Sequence, residues 1–115
     1  PLGPVVAQGD DQWFNIVKWS LNAMIEGEEQ GVTSANVDEM KANGKPQNKR
    51  LLGSEGELGA NLGLNADWAY QVIKQVGNYS ESFERNVGKD SPLKISRGLN
   101  ALWSDGGILY SPAMR

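Results

Sequence analysis

Residues 1–25 read PLGPVVAQGDDQWFNIVKWSLNAMI. The stretch passes from an apolar run, Leu2, Val5 and Val6, through the polar turn Gln8-Gly9-Asp10-Asp11 into an amphipathic helix. Pro4 has no backbone donor, so the run is expected as an edge strand or the first residues of one. Asp10 or Asp11 can accept from the first free amides of the helix and suits its N-terminal dipole. Over Asp11 to about Gln30, the residues Trp13, Ile16, Val17, Leu21, Met24 and Ile25 recur at helical spacing. Phe14 and Trp19 widen that face, and Lys18, Asn22, Glu26 and Glu29 lie off it. Gly31 is a natural stop, and Gly27 is expected to weaken the last turn. The strand has no partner in its neighbouring sequence, and the chain starts without Met inside an apolar run. The expectation is a piece cut from something larger.

Outward from this stretch the chain reads as mainly helical. Asn36 with Glu39 resembles a capping box for a short helix whose apolar side is Val37 and Met40. Ala42-Asn43-Gly44-Lys45-Pro46 is a loop by composition. Gln47 to Leu52 is expected as another short helix, and Ser54 to Gly63 as one or two turns carrying Leu58 and Leu62. The next strong helix spans about Ala66 to Val87, capped by Asn65, with the stripe Trp68, Val72, Ile73, Val76, Tyr79, Phe83 and Val87. Gly77-Asn78 kinks or divides it. The tail from Ser91 to Arg115 is irregular, with an amphipathic piece around Leu99, Leu102 and Trp103. Ile108-Leu109-Tyr110 reads as a strand or a docked extended arm. The expected fold class is therefore mainly α: a short N-terminal strand, about four helices and an irregular tail.

Composition narrows the chemistry. The 115 residues suffice for one domain, and hydrophobic content of 39% with 22% charged residues is ordinary for a globular chain. Fourteen acids against 11 bases give −3, which argues against general nucleic-acid binding. No apolar run is long enough to span a bilayer. The absence of Cys and His removes thiol nucleophiles, disulfides, Cys/His zinc sites and histidine bases.

The remaining candidates have simple structural readings. Trp13, Trp19, Trp68 and Trp103 are many for this length, and core packing at helical spacing competes with a ligand pocket. Asp10 and Asp11 are expected to cap, and Glu26, Glu28 and Glu29 to form a solvated helix end. The glycines from Gly53 to Gly63 match neither a P-loop nor a dinucleotide fingerprint. Asn78-Tyr79-Ser80 fits the glycosylation pattern, but inside a helix. Lys89, Lys94, Arg97 and Arg115 scatter basic charge along the tail. Arg97 is expected in a surface salt bridge or solvated, with anion binding the alternative. No nucleophile–base pair can be named, so no catalytic residue, cofactor or metal is assigned.

Longer runs carry a resemblance. Pro1-Leu-Gly-Pro-Val-Val-Ala-Gln-Gly-Asp-Asp-Gln-Trp-Phe14, Ile16-Val-Lys-Trp19 and Leu21-Asn-Ala23 are similar to the C-terminal part of periplasmic amino-acid-binding proteins, the solute receptors of ABC importers. Gly31 to Met40, Arg50-Leu-Leu-Gly53, Trp68-Ala-Tyr70, Lys74 to Tyr79, Phe83 to Gly88, Ser91 to Ile95 and Arg97 to Trp103 continue it in collinear order. The general L-amino-acid-binding branch is the best likeness. Ala7 departs from it, standing where that branch tends to carry a basic residue. In this family two α/β lobes close on an amino acid at a hinge, and the chain returns to the first lobe near its end. The resemblance implies that residues 1–30 are a strand and helix of the first lobe. Residues 31–115 would be a helical C-terminal extension.

The resemblance also implies a periplasmic, non-enzymatic receptor whose partners are an L-amino acid and an ABC permease. The family's ligand contacts lie mainly outside this piece, so no binding residue is carried over. Two other readings compete: a stand-alone helical interaction module, and, more weakly, a carboxylate enzyme. A fragment should expose Leu2, Val5, Val6, Trp13 and Phe14 and self-associate through them; a module should bury them.

Overall fold

Helix α1 (Asp11–Glu29) begins where Asp10 Oδ1 accepts from Trp13 N at 3.0 Å. That is the capping role expected of the turn, and the acidic Asp11 in the first turn complements it. The structure, a computed structural model, describes residues 2–114. After α1 come α2 (Val37–Asn43), α3 (Pro46–Leu51), α4 (Leu58–Asn61), α5 (Trp68–Val76) and α6 (Tyr79–Asn86). Two 3-10 turns, Gly98–Asn100 and Trp103–Asp105, follow. The chain is mainly helical, as the sequence pattern requires.

The core forms where the second half of α1 meets α5, with α6 beside α1 and α2 and α3 closing the far side. Ala23, Val32, Val37, Leu51, Leu52, Trp68, Ala69 and Ile73 are buried together. Gly27 has a purpose that helix propensity alone conceals. A Cβ at Gly27 would stand 2.8 Å from Ile73 Cδ1, so the glycine lets α1 and α5 approach closely. Burial of Ile73 alone is worth about 1.5–3 kcal/mol, which exceeds the cost of about 1 kcal/mol for glycine inside a helix.

The long helix expected over Ala66–Val87 is two helices. Gly77 adopts φ 93° and ends α5, and Asn78 then starts α6. Asn78 Oδ1 accepts from Glu81 N at 3.0 Å, while Glu81 Oε2 accepts from Asn78 N at 2.7 Å. This reciprocal pair satisfies two amides that a broken helix would leave free. Asn78 Nδ2 also donates to Val32 O at 2.9 Å, and Glu81 Oε1 accepts from Ser34 Oγ at 2.6 Å. Helix α6 is thereby tied to the turn after α1.

Three expectations need correction. Leu2, Val5 and Val6 form no strand; among the described residues no segment pairs with them, and a ladder needs a partner. Asn36 and Glu39 do not make a capping box. Asn36 Oδ1 accepts from Thr33 N at 2.7 Å instead, and Glu39 Oε1 accepts from Asn43 Nδ2 at 3.2 Å. Asn65 is not the cap of α5; its carbonyl accepts from Trp68 N, and Asp67 holds the cap position. Ile108-Leu109-Tyr110 makes one isolated bridge, Leu102 with Leu109, and is otherwise an extended arm.

A surface tie joins α2 to α5 without any local sequence signal. Asp38 accepts from Lys74 Nζ and, at 2.5 Å, from Tyr70 Oη, while the Lys41 ammonium lies 4.3 Å from the Tyr70 ring centre. The Lys74 and Tyr70 hydrogen bonds hold the Asp38 carboxyl below its ordinary range. The bond to Asp38 in turn raises both Tyr70 and Lys74 above theirs. A depressed carboxyl adds stability above its unfolded pKa and loses it as acid protonates the folded form. Raised Lys and Tyr groups add stability that is lost in alkali.

Two outcomes follow from these contacts. Glu81→Ala should cost about 2 kcal/mol in urea unfolding, whereas Glu39→Ala should cost less than about 0.5 kcal/mol; equal costs would contradict the observed caps. The melting-temperature gap between the wild type and Asp38→Asn should be present at neutral pH and close as pH falls below about 4. A gap that persists unchanged in acid would show that the carboxylate charge is not what joins α2 to α5.

Candidate docking surface

The apolar face of α1 is used unevenly. Its second half enters the core through Ala23, Ile25 and Gly27. Its first half does not: Trp13 and Phe14 are each 52% exposed. The preceding segment lies beside that half and is itself open, with Val5 91% exposed. Between them runs an open groove of about 680 Å³, lined by Pro4, Val5, Val6, Phe14, Val17 and Leu21, with Pro112 of the tail on its rim. Large apolar side chains gathered in this way on a surface make it a candidate contact site.

The four tryptophans therefore divide. Trp68 is 7% exposed and Trp19 packs against the same core, as the helical stripe implied. Trp13 and Trp103 are exposed, contrary to the core reading. The indole Nε1 of Trp68 is buried without a hydrogen-bond partner. Beside it a smaller pocket of about 230 Å³ lies among Trp19, Leu58, Leu62, Trp68 and Met114.

The acidic end of α1 is not simply solvated. Glu28 accepts both guanidinium nitrogens of Arg97, at 2.9 and 3.0 Å, across 69 residues of sequence. Their side chains are 13% and 18% exposed, so this is a partly buried, bidentate pair. Arg97 also donates to Asn100 O, and its guanidinium lies 5.5 Å from the ring centres of Tyr79 and Phe83. All three of its nitrogens are engaged within the chain, which favours the ion-pair reading over anion binding. Glu29 accepts from Ser111 N at 3.2 Å. Burial raises its carboxyl above the ordinary range, the Ser111 bond opposes this, and Glu26 and Glu28 add to the rise. Two adjacent carboxylates thus pin the tail at two points, a long-range pairing with no local sequence signal.

The other candidates have structural places. Asp10 caps α1, and Asp11 lies exposed in its first turn. Asn78 is 4% exposed with its amide donated to Val32, so the folded chain offers no glycosylation acceptor there. Gly53, at φ 86°, turns the chain so tightly that a Cβ would meet Ala66 O at 2.0 Å; the glycine-rich stretch is turn-making. Lys94 Nζ donates to Lys89 O. Arg115 lies outside the described residues. Among the described residues no cluster of three or more Asp or Glu side chains is arranged to hold a metal ion, and no helix is long and apolar enough to cross a membrane.

Comparison with known proteins places this architecture. No protein-family model matches the chain. It is 62% identical over 117 residues to the general L-amino acid-binding periplasmic protein AapJ of Rhizobium johnstonii. It is 60% identical to the putative amino-acid ABC transporter-binding protein YhdW of Escherichia coli K12. It is 47% identical to the glutamate/glutamine/aspartate/asparagine-binding protein BztA of Rhodobacter capsulatus. Each match covers 100% of this chain and 34% of the relative. A solved ABC-transporter periplasmic binding protein from Brucella ovis, with glutathione bound, superposes with a TM-score of 0.91 at 53% identity. That match covers 96% of this chain and 35% of the other. In sequence and in fold, the chain matches about one third of the length of periplasmic binding proteins of amino-acid ABC transporters.

Proposed function

We propose that the chain is the C-terminal third of a periplasmic receptor that captures L-amino acids and presents them to an ABC permease. The observation that carries this reading is 62% identity to an L-amino acid-binding protein over 100% of the chain. At that identity the core pairs described above are expected to serve the same packing in both proteins. The groove beside α1 supports the same reading. An apolar face without a partner belongs to a surface meant to be covered, and the relatives contain about twice as much additional chain to cover it.

In this reading the first half of α1 and segment 2–8 seat the chain on the first lobe. Residues 1–30, α1 included, would belong to that lobe, and residues 31–115 would form the helical extension. The ligand site lies outside this piece, and no residue here is assigned to it or to catalysis. The relatives' ligands share one chemical head. An L-amino acid presents an α-amino group beside an α-carboxylate, and glutathione presents the same pair on its γ-glutamyl residue. The complete receptor is therefore expected to read that head group and to tolerate different side arms.

Calorimetric titration with L-amino acids and glutathione tests this. The chain alone should show no binding. The chain fused behind the preceding two thirds of the Rhizobium relative should bind an L-amino acid with Kd of about 1 μM, some −8 kcal/mol. Binding by the chain alone would place the site within it, and a fused receptor that binds nothing would overturn the receptor reading. The lone chain is further expected to self-associate through Leu2, Val5, Val6, Trp13 and Phe14; the exposure of Leu2, Val5, Trp13 and Phe14 supports this. Light scattering should give a mass above 12.5 kDa; a monomer would favour the alternative of a self-contained helical module.

A further inference from the structure

The pairs Glu28–Arg97 and Glu29–Ser111 hold residues 97 and 111 against adjacent positions of α1. The segment between them is thus a closed loop with pinned ends. Backbone bonds fix its interior: Ile108 N to Leu99 O at 2.9 Å, Leu109 N to Ala101 O at 3.1 Å and Trp103 N to Leu109 O at 2.9 Å. Compact loops with close ends and internal bonding are often functional. Leu102 is buried, and four of the loop's large apolar side chains face outward. Leu99, Trp103, Ile108 and Tyr110 are each between 60 and 70% exposed, and the rings of Trp103 and Tyr110 meet edge-on with centres 6.4 Å apart. Ordering a loop is costly, and a loop held rigid with an apolar outer face has already met the cost of binding.

Resting on the receptor reading above, we propose that the loop 97–111 is a second docking element, covered in the complete receptor by the preceding two thirds of the same polypeptide. Two observations choose that occupant. Pro112, the residue after the loop, lines the α1 groove, so the chain runs directly from the loop into the surface proposed for the same cover. The relatives also hold about twice this chain's length outside the matched region. Charge disfavours an anionic membrane surface: Arg97 is spent on Glu28, and the loop's other charged residue is Asp105. The loop would grip the body of the receptor at a point distant in sequence from α1, so the extension is held at two places.

The test is hydroxyl-radical footprinting of the complete receptor, made by fusing the preceding two thirds of the Rhizobium relative to this chain. The lone chain provides the reference. Trp103 and Tyr110 should oxidise about fivefold more slowly in the complete receptor, as should Phe14 of the groove. The double substitution Trp103→Ser, Ile108→Ser should lower the melting temperature of the complete receptor by about 5 °C and that of the lone chain by less than about 1 °C. Protection of Phe14 without protection of Trp103 would overturn this inference and leave the receptor reading standing. No protection at either position, or a fusion that does not fold, would overturn both.

Discussion

The crossing of α1 and α5 at Gly27 and Ile73 is the contact on which the rest depends. It works because one helix offers no side chain where the other offers a fully buried isoleucine. The close approach places Ala23 and Ala69 in the same buried layer. It also sets where the chain must turn. Val32 follows at once and is buried, and its carbonyl receives the Asn78 amide that starts α6. Glu81 then joins that start to Ser34. A short run of small and apolar residues thus fixes α1, α5, α6 and the turn between them as one unit.

Around this unit the molecule has two kinds of surface. One is self-sufficient: α2 and α3 close the core, and Asp38, Tyr70 and Lys74 tie α2 to α5. The other is apolar and open, comprising the first half of α1, the segment before it and the outer face of the loop 97–111. A protein that had to satisfy only itself would bury Phe14 and Trp103 or replace them with polar residues. The proposed receptor, of which this chain would be about one third, accounts for their retention.

Much of this was legible in the sequence because it depends on near neighbours. The spacing of Trp13 to Ile25 defines α1 to within a residue at its end, Asp10 announces its start, and Gly77-Asn78 marks the division between α5 and α6. The missed features depend on distant partners. A strand at Leu2–Val6 looked plausible because its pattern suits a ladder, yet no described segment supplies the other half. Asn36 and Glu39 have capping spacing, but Thr33 and Asn43 compete for their side chains. Glu28 reads as one more solvated acid until the fold brings Arg97 to it from 69 positions away. The open surface was legible only indirectly, as apolar residues lacking a partner.

Hydrogen exchange along α1 of the lone chain is the most direct measurement of this account. If the helix has one half seated in the core and one half awaiting a partner, amides of Ile25 and Gly27 should exchange about 100-fold more slowly than those of Ile16 and Val17. Uniform protection from Asn15 to Gly27 would contradict the account. It would show that α1 is held along its whole length by this chain alone, with no face left for the rest of a receptor.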